Sequence, residues 1–195
     1  MPCAQGTAMT AGNSYLYQPV VVERLVRVER IPDGTPVDLQ PGTSAQVAQA
    51  LGSNYSLLVQ GQLMRLAGKD ASAVGLPEPE GVDIPDDTAP EDVPRLAWEV
   101  LRTCYDPEIP VDIVELGLVY RCDVTPLPGS AGMQRIEIDM TLTAPGCGMG
   151  DVIANDARDK LMALPHVGEV DVQIVFDPPW DRSRMSEAAL LTVGL

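Results

Sequence analysis

Thr141-Leu142-Thr143-Ala144-Pro145-Gly146-Cys147-Gly148-Met149-Gly150 separates two segments of different periodicity. Ahead of it, Arg135-Ile136-Glu137-Ile138-Asp139-Met140-Thr141-Leu142 carries apolar residues at every second position, the period of a half-buried strand. Behind it, Ile153, Ala157, Leu161 and Leu164 recur at helical spacing. The decapeptide therefore reads as a glycine-rich turn between a strand and a helix. Its glycines leave the Cys147 sulfur without shielding side chains and admit backbone conformations that other residues resist. A helix start offers unpaired N–H groups and partial positive charge, which lowers a thiol pKa below its free value of about 8.5. Asp151 acts in the opposite sense. The pattern predicts a thiol that is reactive or metal-binding, with a modest pKa shift.

Working outward, a helix is expected over Asp92–Tyr105, with Leu96, Val100 and Leu101 as its apolar stripe and Trp98 on a flank. Asp106-Pro107-Glu108-Ile109-Pro110 stops it, because each proline removes a donor and constrains its neighbour. Leu116–Val124 reads as a strand, Val170–Phe176 as another that ends at Pro178-Pro179-Trp180, and Ser186–Leu191 as a last short helix. The expected fold class is α+β: a small three-stranded sheet with packed helices, in the order α-β-β-α-β-α, over residues 95–195.

Before it, residues 1–14 are small and polar and are expected to be disordered. Residues 15–76 predict a small β-rich domain. Val20, Val21, Val22, Val26 and Val28 favour strand, and Tyr55–Gln60 with Leu63–Ala67 reads as a hairpin. Thr43-Ser44 ahead of Ala45-Gln46-Val47-Ala48-Gln49-Ala50-Leu51, with Gly52 after it, predicts a short capped helix. Gly68-Lys69-Asp70 is a turn, since Leu63 and Asp70 break the phosphate-loop pattern. Residues 77–94 hold five prolines, seven acidic residues and no Lys or Arg, the composition of an extended acidic linker.

The 195 residues carry a net charge of −15, which argues against nucleic-acid and anionic-membrane partners and leaves basic protein surfaces and cations. No apolar run reaches the ~18 residues of a membrane span. The opening residues have neither a basic nor an apolar signal region, so no export is expected. Cys3, Cys104, Cys122 and Cys147 show no CxxC spacing, which fits free thiols in a reducing, cytoplasmic setting.

Four motifs stand in order: Asp106-Pro107-Glu108-Ile109-Pro110, Glu115-Leu116-Gly117-Leu118-Val119-Tyr120, Thr143-Ala144-Pro145-Gly146-Cys147 and Pro178-Pro179-Trp180. In these the second half resembles the small iron–sulfur assembly factors that include PaaD-like proteins and a subunit of the eukaryotic cytosolic targeting complex. It is most similar to the SufT-type branch of the bacterial SUF system. The resemblance implies an accessory factor in cluster assembly or delivery to apo-proteins, without enzymatic turnover, whose partners are SUF components and client proteins. It implies a functional motif of Asp106, Pro107, Glu108, Thr143, Pro145, Cys147 and Trp180, with Cys147 as the exposed cysteine. No tightly bound cofactor is implied, only transient contact of Cys147 with iron or an iron–sulfur cluster. The alternative is a metal-free adaptor that binds SUF components or clients through its acidic surface and Trp180.

A lone thiolate does not close a four-ligand site. Cys104, a symmetric dimer that pairs two copies of Cys147, and ligands lent by a client are the routes left open. A Cys–His nucleophile is excluded within one chain, because His166 lies past the far end of the helix, about 20 Å from Cys147 at 1.5 Å per residue. Asp106 and Glu108, set between prolines, read more simply as turn formers than as an acid–base pair. Trp180 is expected to be half-exposed, packing while it faces a partner. Arg182 and Arg184 read as solvated surface charges.

Overall fold

The computed structural model describes residues 15, 17–79, 81–106, 109–144 and 149–194. The predictions for residues 1–14, Pro107, Glu108, Pro145 and Cys147 fall outside that set. The described residues form a mixed α+β protein with two sheets and two clusters of buried apolar residues.

The first sheet has six strands: β1 (Pro19–Val21), β2 (Val26–Arg30), β3 (Pro36–Leu39), β4 (Ser44–Leu51), β5 (Asn54–Val59) and β6 (Gln62–Ala67). They run antiparallel in the order β1-β4-β5-β6-β2-β3. Alternate residues point inward, so Val26, Val28, Val47, Leu57, Val59, Met64 and Leu66 bury together. A short 3-10 helix, Gly68–Val74, closes the cluster with Ala71, Ala73 and Val74.

Ala45–Leu51 is therefore a strand, and the expected helix is wrong. Alanine, glutamine and leucine favour helix, but a segment this short is marginal as a helix on its own. Pairing with both β1 and β5, with Ala45 and Val47 turned into the core, overrides that preference.

From Gly75 to the 3-10 turn Pro90–Asp92, the described residues of the acidic segment form no strand or helix. The segment is tied down nonetheless. Tyr55 Oη donates to the Pro77 carbonyl (3.0 Å), Val82 and Ile84 pack partly buried against the second cluster, and the Thr88 carbonyl accepts from His166 Nε2 (2.9 Å).

The second unit contains α1 (Val93–Leu101), β7 (Val119–Pro126), β8 (Gln134–Met140), α2 (Gly150–Met162), β9 (Val167–Ile174) and α3 (Glu187–Thr192). β7 and β8 are antiparallel, and β8 and β9 are parallel across α2. Pro94 sits in the first turn of α1, where a missing N–H costs no hydrogen bond. Val93, Leu96, Ala97, Val100 and Leu101 form its buried face and meet Ile153, Ala157 and Leu161 of α2 over Ile136, Ile138 and Met140. Trp98, on the flank, is partly exposed. Ser186 caps α3 by accepting from Ala189 N (3.0 Å). No helix among the described residues is long and apolar enough to cross a membrane.

Candidate functional site

β8 delivers the chain to Thr143 and Ala144, which precede the glycine-rich stretch in the sequence. Met140, Thr141 and Leu142 are buried, Thr143 is half-buried, and Ala144 is exposed. The Thr141 N–H donates to the Leu118 carbonyl and the Val175 N–H to the Met140 carbonyl, each at 2.8 Å, which fixes the end of β8 from both sides. The chain is back in the core at Met149, and α2 begins at Gly150. A Cβ at Gly150 would lie 2.6 Å from Leu142 Cδ1, so the glycine lets the helix start seat directly on Leu142. Ala144 is thus exposed and Met149 buried, on either side of Cys147 in the sequence.

The structure brings the second and fourth motifs together. Trp180, half-buried as expected, donates its indole N–H to the Leu116 carbonyl (2.9 Å). Tyr120 Oη donates to the Pro178 carbonyl (3.0 Å), and the Ser186 N–H to the Glu115 carbonyl (2.9 Å). Gly117 has φ +68°, and a Cβ there would lie 2.2 Å from the Arg184 carbonyl oxygen. That close approach lets residues 182–186 lie flat on the Leu116–Leu118 turn. Since Leu118 also accepts from Thr141, one hydrogen-bonded path runs from Trp180 to the residues that lead into Thr143.

Asp106 is buried, and its carbonyl accepts from the Ile109 N–H (3.2 Å). Farther along, Asp112 Oδ1 accepts from the N–H groups of Val114 (3.0 Å) and Glu115 (2.9 Å) and so shapes the entry to the second motif. Burial raises the Asp112 pKa, and those two N–H groups oppose the rise.

Two thiols are visible, and neither is activated. Cys104 is wholly buried, its sulfur 3.5 Å from Lys160 Nζ in the last turn of α2, about 15 Å along the helix axis from Gly150. Burial pushes its pKa up to about 12 despite the nearby ammonium. Cys122, half-buried on β7, is pushed up to about 11 by burial and then by Asp123. His166 follows α2 with φ +61° and is held by the Thr88 carbonyl. Among the described residues, no group of three or more His, Cys, Asp or Glu side chains is placed to hold a metal ion. The sequence reading took Arg184 for a solvated surface charge and missed its contact with Tyr120. Its guanidinium lies over the Tyr120 ring, 4.3 Å from the centroid, and the only hint of it was a basic residue close behind Trp180 in an acidic chain.

A family model described as iron–sulfur cluster assembly protein matches residues 97–172. A Porphyromonas gingivalis protein named Fe-S protein maturation auxiliary factor is 42% identical over 104 residues, covering 53% of this chain and 90% of that one. The Staphylococcus aureus Fe-S protein maturation auxiliary factor SufT is 39% identical over 90 residues, covering 46% of this chain and 96% of its own. A crystal structure of a domain of unknown function from Bacillus anthracis is 38% identical, covers 54% of this chain and 94% of that one, and has a TM-score of 0.46. The chain belongs to the iron–sulfur cluster assembly protein family.

Proposed function

We propose that this protein is an accessory factor in iron–sulfur protein maturation, and that Cys147 makes transient contact with iron or a cluster on its way to an apo-protein. The observation that carries the role is the identity of about 40% over nearly the full length of relatives named as maturation auxiliary factors. Those names describe auxiliary factors rather than enzymes, and the role calls for SUF components and apo-clients as partners.

The position of Cys147 supports the finer reading. It lies between an exposed Ala144 and the start of α2 at Gly150, in a stretch where three glycines supply no shielding side chains. Cys104 is unsuited to complete a site with it, being sealed in the core beside the last turn of α2. The remaining ligands then come from a client or from a second copy of the chain. A delivery role favours weak, incomplete ligation, because a closed four-ligand site retains its cargo.

Anaerobic reconstitution with iron and sulfide, read by absorbance and Mössbauer spectroscopy, tests this in the intact chain and in Cys147→Ser. Uptake that the variant loses supports transient contact. No uptake by either chain favours the metal-free adaptor. Unchanged iron–sulfur enzyme activity in cells carrying Cys147→Ser rules out the cysteine role.

A further inference from the structure

Most arginines of this acidic chain are neutralised by carboxylates, from Arg24 with Asp70 to Arg135 with Glu169. Arg184 forms no ion pair among the described residues. The nearby Asp181 turns its Oδ1 to the Ser183 N–H (2.8 Å) and acts on Arg184 only through its charge, without an ion-pair contact. The Arg184 guanidinium carbon lies over the Tyr120 ring, 4.3 Å from the centroid, and its N–H groups meet no hydrogen-bond acceptor among the described residues. A guanidinium fork matches a carboxylate with two parallel hydrogen bonds.

The backbone carrying Arg184 is fastened on both sides, by Trp180 to Leu116 and by Ser186 to Glu115. Gly117, Val119, Tyr120, Pro178 and Arg184 line a shallow hollow. Arg184 and Pro178 are exposed there, and the other three residues are half-buried. Alongside runs β7, an outer strand that pairs only with β8 among the described residues, so its far edge offers unpaired backbone groups beginning at the hollow.

We infer that the hollow and the open edge of β7 form one docking site for an extended segment of a partner protein, with an aspartate or glutamate carboxylate of that segment on the Arg184 fork. Backbone pairing along the edge supplies affinity, and the carboxylate sets the register. The net charge of −15 opposes an acidic partner at long range, but salt screens that opposition beyond about 8 Å, and the local fork decides at contact. This deepens the accessory-factor reading by giving a partner's chemistry, and it rests on that reading for the partner's identity.

The test is a titration of the full 15N-labelled chain with acetyl-Val-Thr-Glu-Val-Thr-amide, its glutamine counterpart, and inorganic phosphate. The glutamate peptide is expected to shift the amides of 117–120 and 178–186 and the Arg184 side-chain resonance, with an apparent Kd about tenfold below that of the glutamine peptide. Arg184→Gln removes this preference, and Arg182→Gln retains it, with circular dichroism confirming that both variants fold. Three results overturn the inference: no shift at about 20 mM peptide, equal response to both peptides, or a preference that survives Arg184→Gln. Phosphate moving the same resonances as strongly overturns it too, since the hollow is then a general anion site. The titration contains no iron and no client enzyme, so its failure leaves the maturation reading standing, and the failure of that reading leaves the titration result unchanged.

Discussion

Arg65 on β6 and Asp156 on α2, 91 residues apart in the chain, form an ion pair whose side chains are only 11% and 13% exposed. Arg65 also binds Glu29 (2.6 Å), and Asp156 also binds Lys160 (2.6 Å) and Asn54. The cluster ties the first sheet to α2, the helix that follows Cys147 in the sequence.

Removing one member of such a cluster leaves a half-buried charge short of a partner. Arg65→Ala is expected to cost about 3 kcal/mol, at the low end for a buried pair because Lys160 still accompanies Asp156. The double variant Arg65→Ala/Asp156→Ala should lose clearly less than the sum of the single losses. Urea denaturation of the four chains measures the coupling, and additive losses would contradict it.

Gly117→Ala is expected to cost about 2–4 kcal/mol. It places a side chain at φ +68° and drives a methyl group against the Arg184 carbonyl, which is backbone and has little room to yield. The readout is the thermal midpoint together with Trp180 fluorescence, since residues 178–186 must lift from the Leu116–Leu118 turn.

Trp180→Phe keeps most of the packing but removes the N–H donor to Leu116. The Leu116 carbonyl then loses its partner, at a cost of about 1 kcal/mol. Equilibrium unfolding checks this, and a loss within error would show that water replaces the indole.

The buried Cys104 makes stability depend on alkaline pH. Its thiol is raised from 9.0 to about 12 on folding. Below pH 9 both states keep the proton, so the contribution is fully present there. As pH climbs from 9 toward 12 the unfolded thiol ionises first, and the contribution is lost. Urea midpoints from neutrality to about pH 10 should fall, and Cys104→Ala should flatten the slope. Iodoacetamide applied to the folded chain near neutral pH should leave Cys104 unmodified and label Cys122 slowly.

Much of the second unit is legible locally. The alternation of Arg135–Leu142, the helical spacing after Gly150, and the prolines at 178 and 179 each name an element by short-range pattern, and the strands and helices lie close to those positions. Ala45–Leu51 defeats the same method. Its composition favours helix weakly, and only two strand partners, one of them from the distant Pro19–Val21, make it a strand. The acidic segment is similar: its composition describes an extended linker and says nothing of the buried cluster against which Val82 and Ile84 pack.

The sequence by itself determined the family and the α+β pattern, because these reside in neighbouring residues and short periods. The tertiary structure alone decided that Cys104 is sealed beside Lys160, that Trp180 answers to Leu116, and that Arg184 lies over Tyr120. Those facts depend on which distant segments meet. A hydrogen bond or a buried charge pair is set by distances of a few ångströms between residues tens of positions apart, and no local pattern encodes them.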